Sequence, residues 1–196
     1  TEHLDAWLNH KRLSKVGIGV MAYGADVVIE GIEDQDMLLL MHPLSGAAEI
    51  GTSNGPIYCD TGVASVVDTG DLRRMQWSAS CTQRVVQISN SVLDDHAMML
   101  MGRPLSKKLN FATEMPVPQS GASWWHFASL LSMELSSFPT QSGRIVLDSL
   151  ETLLILKLLE SHPSNYSDHF QPQACRIAPH HVRKVEQYIL ANADQQ

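Results

Sequence analysis

A chain of 196 residues that is 44% apolar and 18% charged can bury one domain-sized core, which excludes a disordered or low-complexity protein. Its net charge of −7 is uneven: up to Gln173 there are 11 Lys/Arg against 19 Asp/Glu, and from Ala174 onward 3 against 2. The body therefore has no general attraction for nucleic acid, and any such contact falls to the closing segment or to residues not present here. The longest apolar run, Leu153 to Leu159, is interrupted by Lys157 and far too short for a bilayer span, and the N-terminus has no signal-peptide pattern; together these predict a soluble protein. Cys59, Cys81 and Cys175 are odd in number and too widely spaced for CxxC chemistry, which predicts buried free thiols in a reducing cytoplasm.

From about Gly17 to Phe111 the text is strand-like, with short runs of Val, Ile, Leu and Met punctuated by Gly, Asp, Asn and Pro. Eight strands are predicted, from VGIGVMAY, DVVIEGI, MLLLMHPL, AAEIG, PIYCD, ASVVD, RRMQWS and TQRVVQIS. Asn54-Gly55 marks a tight hairpin turn between the fourth and fifth. Such regular spacing argues for an antiparallel sandwich or small barrel, and no βαβ alternation is visible. A short helix follows, capped by Asn90 or Ser91 and stopped by Gly102, with Asp94 and Asp95 assigned to its first turn, where the helix dipole favours acids.

The period then changes from two to about 3.6. Trp124, Phe127, Ala128, Leu131, Leu135 and Phe138 fall on one helical stripe, and a second helix is predicted from about Gly143 to Ser161. That helix is apolar around most of its circumference, so it needs cover on more than one side, from its own domain and from a second subunit. Leu147, Leu150, Leu154 and Leu158 are its candidate dimer contacts. The segment 163–177, with Pro163 and Pro172 and little apolar periodicity, reads as a linker. From Ala178 a new helix is predicted, with Pro179 at its first position and Val182, Val185 and Ile189 on one face. His180, His181, Arg183 and Lys184 crowd its first turns, against the dipole preference.

The sequence offers little catalytic chemistry. His42, His96 and His126 are isolated, without the His-x-His, Glu and later His that a metal-bearing barrel requires, so no metal and no cofactor is expected. There is no GxSxG, no glycine-rich phosphate loop and no paired Cys and His, which argues against an enzyme. Ligand binding is what remains for the barrel. Arg73, Arg74 and Arg84 lie in strands; Arg84 shares its side with Thr82, Val86 and Ile88, while Gln83, Val85 and Gln87 point the other way. If the side of Arg84 is the inner one, its guanidinium needs an anionic partner or a mostly solvated head: a bound carboxylate is one reading, an internal salt bridge or an edge position the other. Tyr23, Met75 and Trp77 can offer flat apolar surface to a ring, and His42 a hydrogen bond at a barrel mouth, with plain core roles as the alternative for each. Candidate ligand residues are therefore Arg84, His42, Tyr23, Arg74, Met75 and Trp77.

YGADVVIEGIEDQDMLLLMHPLSGAAEIG, followed by VASVVDTGDLRRMQWSASCTQRVVQIS, resembles the N-terminal regulatory domain of AraC/XylS-family transcriptional activators, in particular the benzoate-activator-like subgroup. The shared elements are a YGA-[DE]-V turn, PL-x-G after an apolar strand, and W-x-x-x-C-x-Q leading into the last strand, within a match from roughly Val16 to Ser161. APHHVRKVEQYILANAD resembles the leading helix of that family's DNA-binding domain, with two helix-turn-helix units, which is expected to continue beyond this chain. The resemblance implies an α+β fold: an antiparallel cupin-like β-barrel at 1–112, a two-helix dimerisation hairpin at 113–162, a linker at 163–177, and the start of a DNA-binding domain at 178–196. It further implies a cytoplasmic homodimer that binds a small effector, such as an aromatic carboxylate, and activates genes at promoter DNA, with RNA polymerase as a further partner. At His42 and Arg84 the chain departs from the aliphatic residues expected in the nearest relatives, so these positions bear on the effector's identity. The alternatives are a dimerisation module with a filled barrel and, more remotely, a metal-free enzyme.

Overall fold

The computed structural model describes residues 5–31, 35–137 and 144–170. Ten strands precede and interleave with four helices: β1 Trp7–Arg12, β2 Val16–Ala22, β3 Val27–Glu30, β4 Met37–Ser45, β5 Ala48–Thr52, β6 Gly55–Cys59, β7 Val63–Asp68, β8 Leu72–Trp77, β9 Thr82–Ser89, α1 Asn90–Met101, β10 Glu114–Pro116, α2 Ala122–Ser137, α3 Arg144–Ser161 and α4 Ser167–Phe170. All eight strands expected from the sequence are present. Two more are added: β1, a largely exposed edge strand without apolar alternation, and the three-residue β10.

The strands form two antiparallel sheets, a larger one in the order β1-β2-β9-β4-β7-β10 and a smaller one in the order β3-β8-β5-β6. Between them lies one apolar cluster, with Leu39, Met41 and Val67 from the large sheet and Ile50, Ile57, Leu72 and Trp77 from the small one. The other face of the large sheet is covered by the helices: Ile18, Leu38, Leu40, Val66, Val86 and Ile88 pack with Trp124, Ala128, Leu131, Leu154, Ile155 and Leu158. The molecule is thus three layers, small sheet, large sheet and helices. That arrangement explains the unbroken run Leu38-Leu39-Leu40-Met41: β4 is central and buried on both faces, so it has no polar side to alternate with.

The β5–β6 hairpin forms where Asn54-Gly55 indicated; Gly55, at φ +122°, pairs with Thr52 across it. Gly46 is constrained further. It adopts φ +66°, and a Cβ there would lie 2.6 Å from the Cys81 amide nitrogen, so the β4–β5 turn stacks directly on the β8–β9 turn.

Several local expectations need correction. The N-cap of α1 is Ser89, not Asn90 or Ser91, so Asp94 and Asp95 fall in the second turn, beyond the dipole's reach. Burial, together with Asp36 and Asp95, raises the Asp94 pKa. The first part of the expected linker is structured: Tyr166 and Phe170, four residues apart, are buried on the helical core through α4, and the Tyr166 hydroxyl donates to the Lys107 carbonyl. Residues 171–177 of that linker, and the helix expected from Ala178, lie outside the described residues. The division expected at residue 112 falls within one continuous core, because β10 pairs back onto β7 and Met115 is buried among the helices.

Candidate functional site

The structure sorts the six candidate ligand residues into three places. Tyr23, Met75 and Trp77 face the space between the sheets; Tyr23 meets Trp77 edge to face at a centroid separation of 5.2 Å. Arg84 and His42 do not. They sit directly opposite each other on β9 and β4, on the outer face of the large sheet under α2. Arg84 Nη1 donates to Ser129 Oγ at 2.7 Å, and His42 lies 5.1 Å from the Trp125 ring. The physical reason is that β9 is buried on both faces. Its Arg84-Val86-Ile88 side is apolar because helices cover it, so apolar character does not mark the inside of the barrel. Arg74 is on the surface, 3.7 Å from the exposed Glu30 carboxylate. Burial lowers the pKa of Arg84, and burial followed by the Arg84 charge lowers that of His42, against the opposing effect of the bond between His42 Nε2 and the Thr61 carbonyl.

What faces inward at the same level is Gln83, which is fully buried. Its amide is within hydrogen-bonding reach of the Cys81 thiol, as Ser65 Oγ is of the Cys59 thiol, whereas Trp77 Nε1 has no hydrogen-bond partner among the described residues. The two thiols are within electrostatic reach of each other. Burial pushes the Cys59 thiol up to about 11 and raises Cys81 as well, so both are neutral, inert thiols at pH 7. Ala48, paired with both Cys59 and Trp77, completes this polar end of the inter-sheet space. A cavity of about 490 Å³ lies on the outward side of the small sheet, around Glu49, Tyr58 and Gln76, with Asp26 and Asp60 at its edge. A second cavity, of about 590 Å³, lies outside the barrel between α1 and the segment 105–111.

Gln83 and Ser65 were not singled out from the sequence. The available signal was the Gln83-Val85-Gln87 face of β9, two amides on a strand that is otherwise core.

The expected dimer leucines also divide. Leu154 and Leu158 have no exposed surface and are consumed by the chain's own core; Leu147 and Leu150 are half-buried. The apolar side chains of α3 that face outward are Ile145 at 83% exposure, Val146 at 49% and Leu153 at 48%.

A family model for the AraC-binding-like domain matches residues 1–160. The chain belongs to that family. As an AraC-binding-like domain it also shares its fold with the AraC-like transcriptional activator CuxR, whose crystal structure superposes at a TM-score of 0.55, with 11% identity, over 97% of this chain and 65% of that one. At that identity the likeness shows fold alone, and this chain spans about 65% of the activator's length. Weaker superpositions, which carry no argument, include a cupin superfamily protein from Desulfitobacterium hafniense (TM-score 0.37, 11% identity, 43% of this chain and 78% of that one) and the Cupin_2 domain of an XRE family transcriptional regulator from Enterobacter cloacae (TM-score 0.36, 9% identity, 42% and 95%). No curated protein sequence matches the chain. The AraC-binding-like domain has a regulatory, ligand-binding character. Among its described residues no helix is long and apolar enough to cross a membrane, and no three His, Cys, Asp or Glu side chains converge on a point that could hold a metal ion.

Proposed function

We propose that this AraC-binding-like domain is the effector-sensing and dimerisation half of a cytoplasmic transcriptional activator, holding a small organic molecule between its two sheets and presenting DNA-binding domains as a homodimer. The observation that carries this reading is the family match across residues 1–160. Promoter binding through a helix-turn-helix domain beginning near Ala178 is part of the proposal, as is contact with RNA polymerase.

The layered core supplies a route from ligand to partner. The sheet that walls the inter-sheet space on one face carries α2 and α3 on the other, so a shift of β4 or β9 is felt by the helices without an intervening loop. A second joint lies at the β1–β2 turn, where the buried Glu151 carboxylate of α3 accepts from the Lys15 and Val16 amides. An effector that binds one barrel state better than another moves the equilibrium by its differential affinity, and a coupling of about 1–3 kcal/mol changes DNA occupancy roughly 5- to 150-fold. The dimer face is Ile145, Val146 and Leu153, replacing the buried Leu154 and Leu158.

The aromatic carboxylate anticipated from the sequence needs a cation inside the barrel, and Arg84, Arg74 and His42 are all placed elsewhere. A second reading, a dimerisation module with a filled barrel, is favoured by the fully buried aliphatic residues between the sheets, Ile50 and Leu72 among them. Thermal unfolding of the 196-residue chain against aromatic and aliphatic small molecules separates the two: a saturable, concentration-dependent rise in Tm supports a sensor, and no rise from any compound supports the module.

A further inference from the structure

The cavity of about 590 Å³ between α1 and the segment 105–111 has an apolar floor and a charged rim. Leu38, Leu93 and Leu109 are buried in the floor, with Leu105 and Phe111 partly buried beside them. Asp36, Asp94, Lys107 and Lys108 supply the charges. Such a volume, mostly apolar below and carrying a few charged groups above, suits a small organic molecule with one charged head.

The electrostatics decide the sign of that head. Lys108 Nζ lies 2.9 Å from Asp68 Oδ2, so its charge is committed. The bond to Asp68 raises the Lys108 pKa against burial, and the Asp36 and Asp71 carboxylates add to the rise. Burial raises the Asp94 pKa, and Asp36 and Asp95 push it the same way against Lys108. Beyond burial, both shifts report one negative local field, which repels an anion and draws a cation. The N-terminus of α1, whose dipole favours an anion, already faces Asp36: the Asp36 carbonyl accepts from the Asn90 amide at 3.1 Å and its carboxylate from Asn90 Nδ2 at 2.9 Å. Lys107 is exposed, and water screens its charge. Asp94 is thus the carboxylate whose nearby cation is spent elsewhere.

The cavity also borders the last described segment of the chain. Residues 106–112 are laced to 163–166: the Tyr166 hydroxyl accepts from the Ser106 and Lys107 amides at 3.0 and 2.8 Å, Asn165 Oδ1 accepts from the Asn110 amide at 2.9 Å, and the Pro163 carbonyl accepts from the Ala112 amide at 2.8 Å. A molecule seated between α1 and this strap bears on both.

We propose that this cavity is a second small-molecule site, for a primary ammonium with an apolar body about the size of one ring. The ammonium pairs with Asp94, and the body lies on Leu93, Leu105, Leu109 and Phe111. The proposal is independent of the sensor reading of the inter-sheet space, because none of the residues packed between the sheets lines this cavity.

The test uses 2-phenylethylammonium, 2-phenylethanol and 3-phenylpropionate, which share a ring on a short chain and differ in charge. Tm is measured for the 196-residue chain and for Asp94→Asn. The expected result is a saturable rise with the ammonium, about 5–10 °C at ~100-fold excess over Kd, a smaller rise with the alcohol at the same concentration, and none with the carboxylate. The rise with the ammonium is lost in Asp94→Asn. Without ligand, Asp94→Asn should melt within about 2 °C of the unsubstituted chain, because a partly exposed carboxylate becomes an amide of the same size; this readout tells a lost contact from a lost fold. Methyl NMR of the unsubstituted chain locates the ligand without any variant: the Leu93, Leu105 and Leu109 signals should move during the titration, and those of Ile50 and Leu72 between the sheets should not. No rise with the ammonium, a rise with the carboxylate as large, or a rise that survives Asp94→Asn overturns the proposal. Movement of the Ile50 and Leu72 methyls alone also overturns it, and then supports the sensor reading instead, since the amine is held between the sheets.

Discussion

Replacing Glu151 by alanine tests whether the helices and the barrel are joined where the structure places the joint. Glu151 has no exposed surface, and its two carboxylate oxygens are used differently. Oε1 accepts from the Lys15 amide at 2.8 Å and from the Val16 amide at 2.9 Å, while Oε2 accepts from Ser14 Oγ at 2.6 Å. Removing the side chain strands the Val16 amide, which is buried, and the Lys15 amide, which is partly so; Ser14 is exposed and can turn to water. One fully stranded donor costs about 1–3 kcal/mol, and the second, partly rehydrated, adds about 1 kcal/mol. The expected loss is therefore about 2–4 kcal/mol out of a total of about 5–15 kcal/mol. Glu151→Gln discriminates the cause. With its oxygen at the Oε1 position it keeps both backbone bonds, its amide can donate to Ser14 Oγ, and only the charge assistance is lost, about 0.5–1.5 kcal/mol. Urea unfolding of the two variants reads both values. A loss below about 1 kcal/mol for the alanine variant, or equal losses for the two, refutes the claim that Glu151 serves as the acceptor for the β1–β2 turn.

On α3, Ile145→Glu with Leu153→Glu should abolish the homodimer by sedimentation while leaving Tm within about 2 °C, whereas Leu154→Ala should cost about 2–5 kcal/mol by unfolding, since it cuts a cavity in the core. His162 and His42 are both held below their ordinary pKa of 6.5 chiefly by burial, with His162 Nε2 donating to the Ala112 carbonyl at 2.7 Å. A depressed folded-state value means that the unfolded chain takes up the proton first, so stability is full above about pH 6.5 and falls as the pH drops below it. His162→Gln, which keeps a donor for Ala112, should flatten the pH dependence of stability between about pH 7.5 and 5; an unchanged slope refutes the assignment. Gly46→Ala should cost about 1–2 kcal/mol or more, because it adds a Cβ at φ +66° and 2.6 Å from the Cys81 amide; a neutral outcome by thermal unfolding would show that the stacked turns are not tightly packed.

The sequence by itself determined eight of the ten strands and the three longer helices, because these are local: period-two runs bounded by Gly, Asn and Asp, then a 3.6-residue stripe through Trp124, Ala128 and Leu131. It also carried enough of the family pattern to indicate an AraC-type regulatory domain. The sidedness of β9 was decided only by the tertiary structure. In a strand buried on both faces, alternation distinguishes two sides but does not say which one faces the cavity, and Arg84 with Val86 and Ile88 looks as much like a barrel lining as Gln83 with Val85 and Gln87 does. The same ambiguity moved the proposed dimer face, since a helix apolar all round does not reveal that Leu154 and Leu158 turn inward while Ile145 and Leu153 turn out. Glu151 was legible only as an acid in an apolar helix; its role depends on the Lys15 and Val16 amides, more than 130 residues away in the chain. Which side of an element meets which neighbour is set by packing over such distances, and that information is absent from any window of the sequence short enough to show a period.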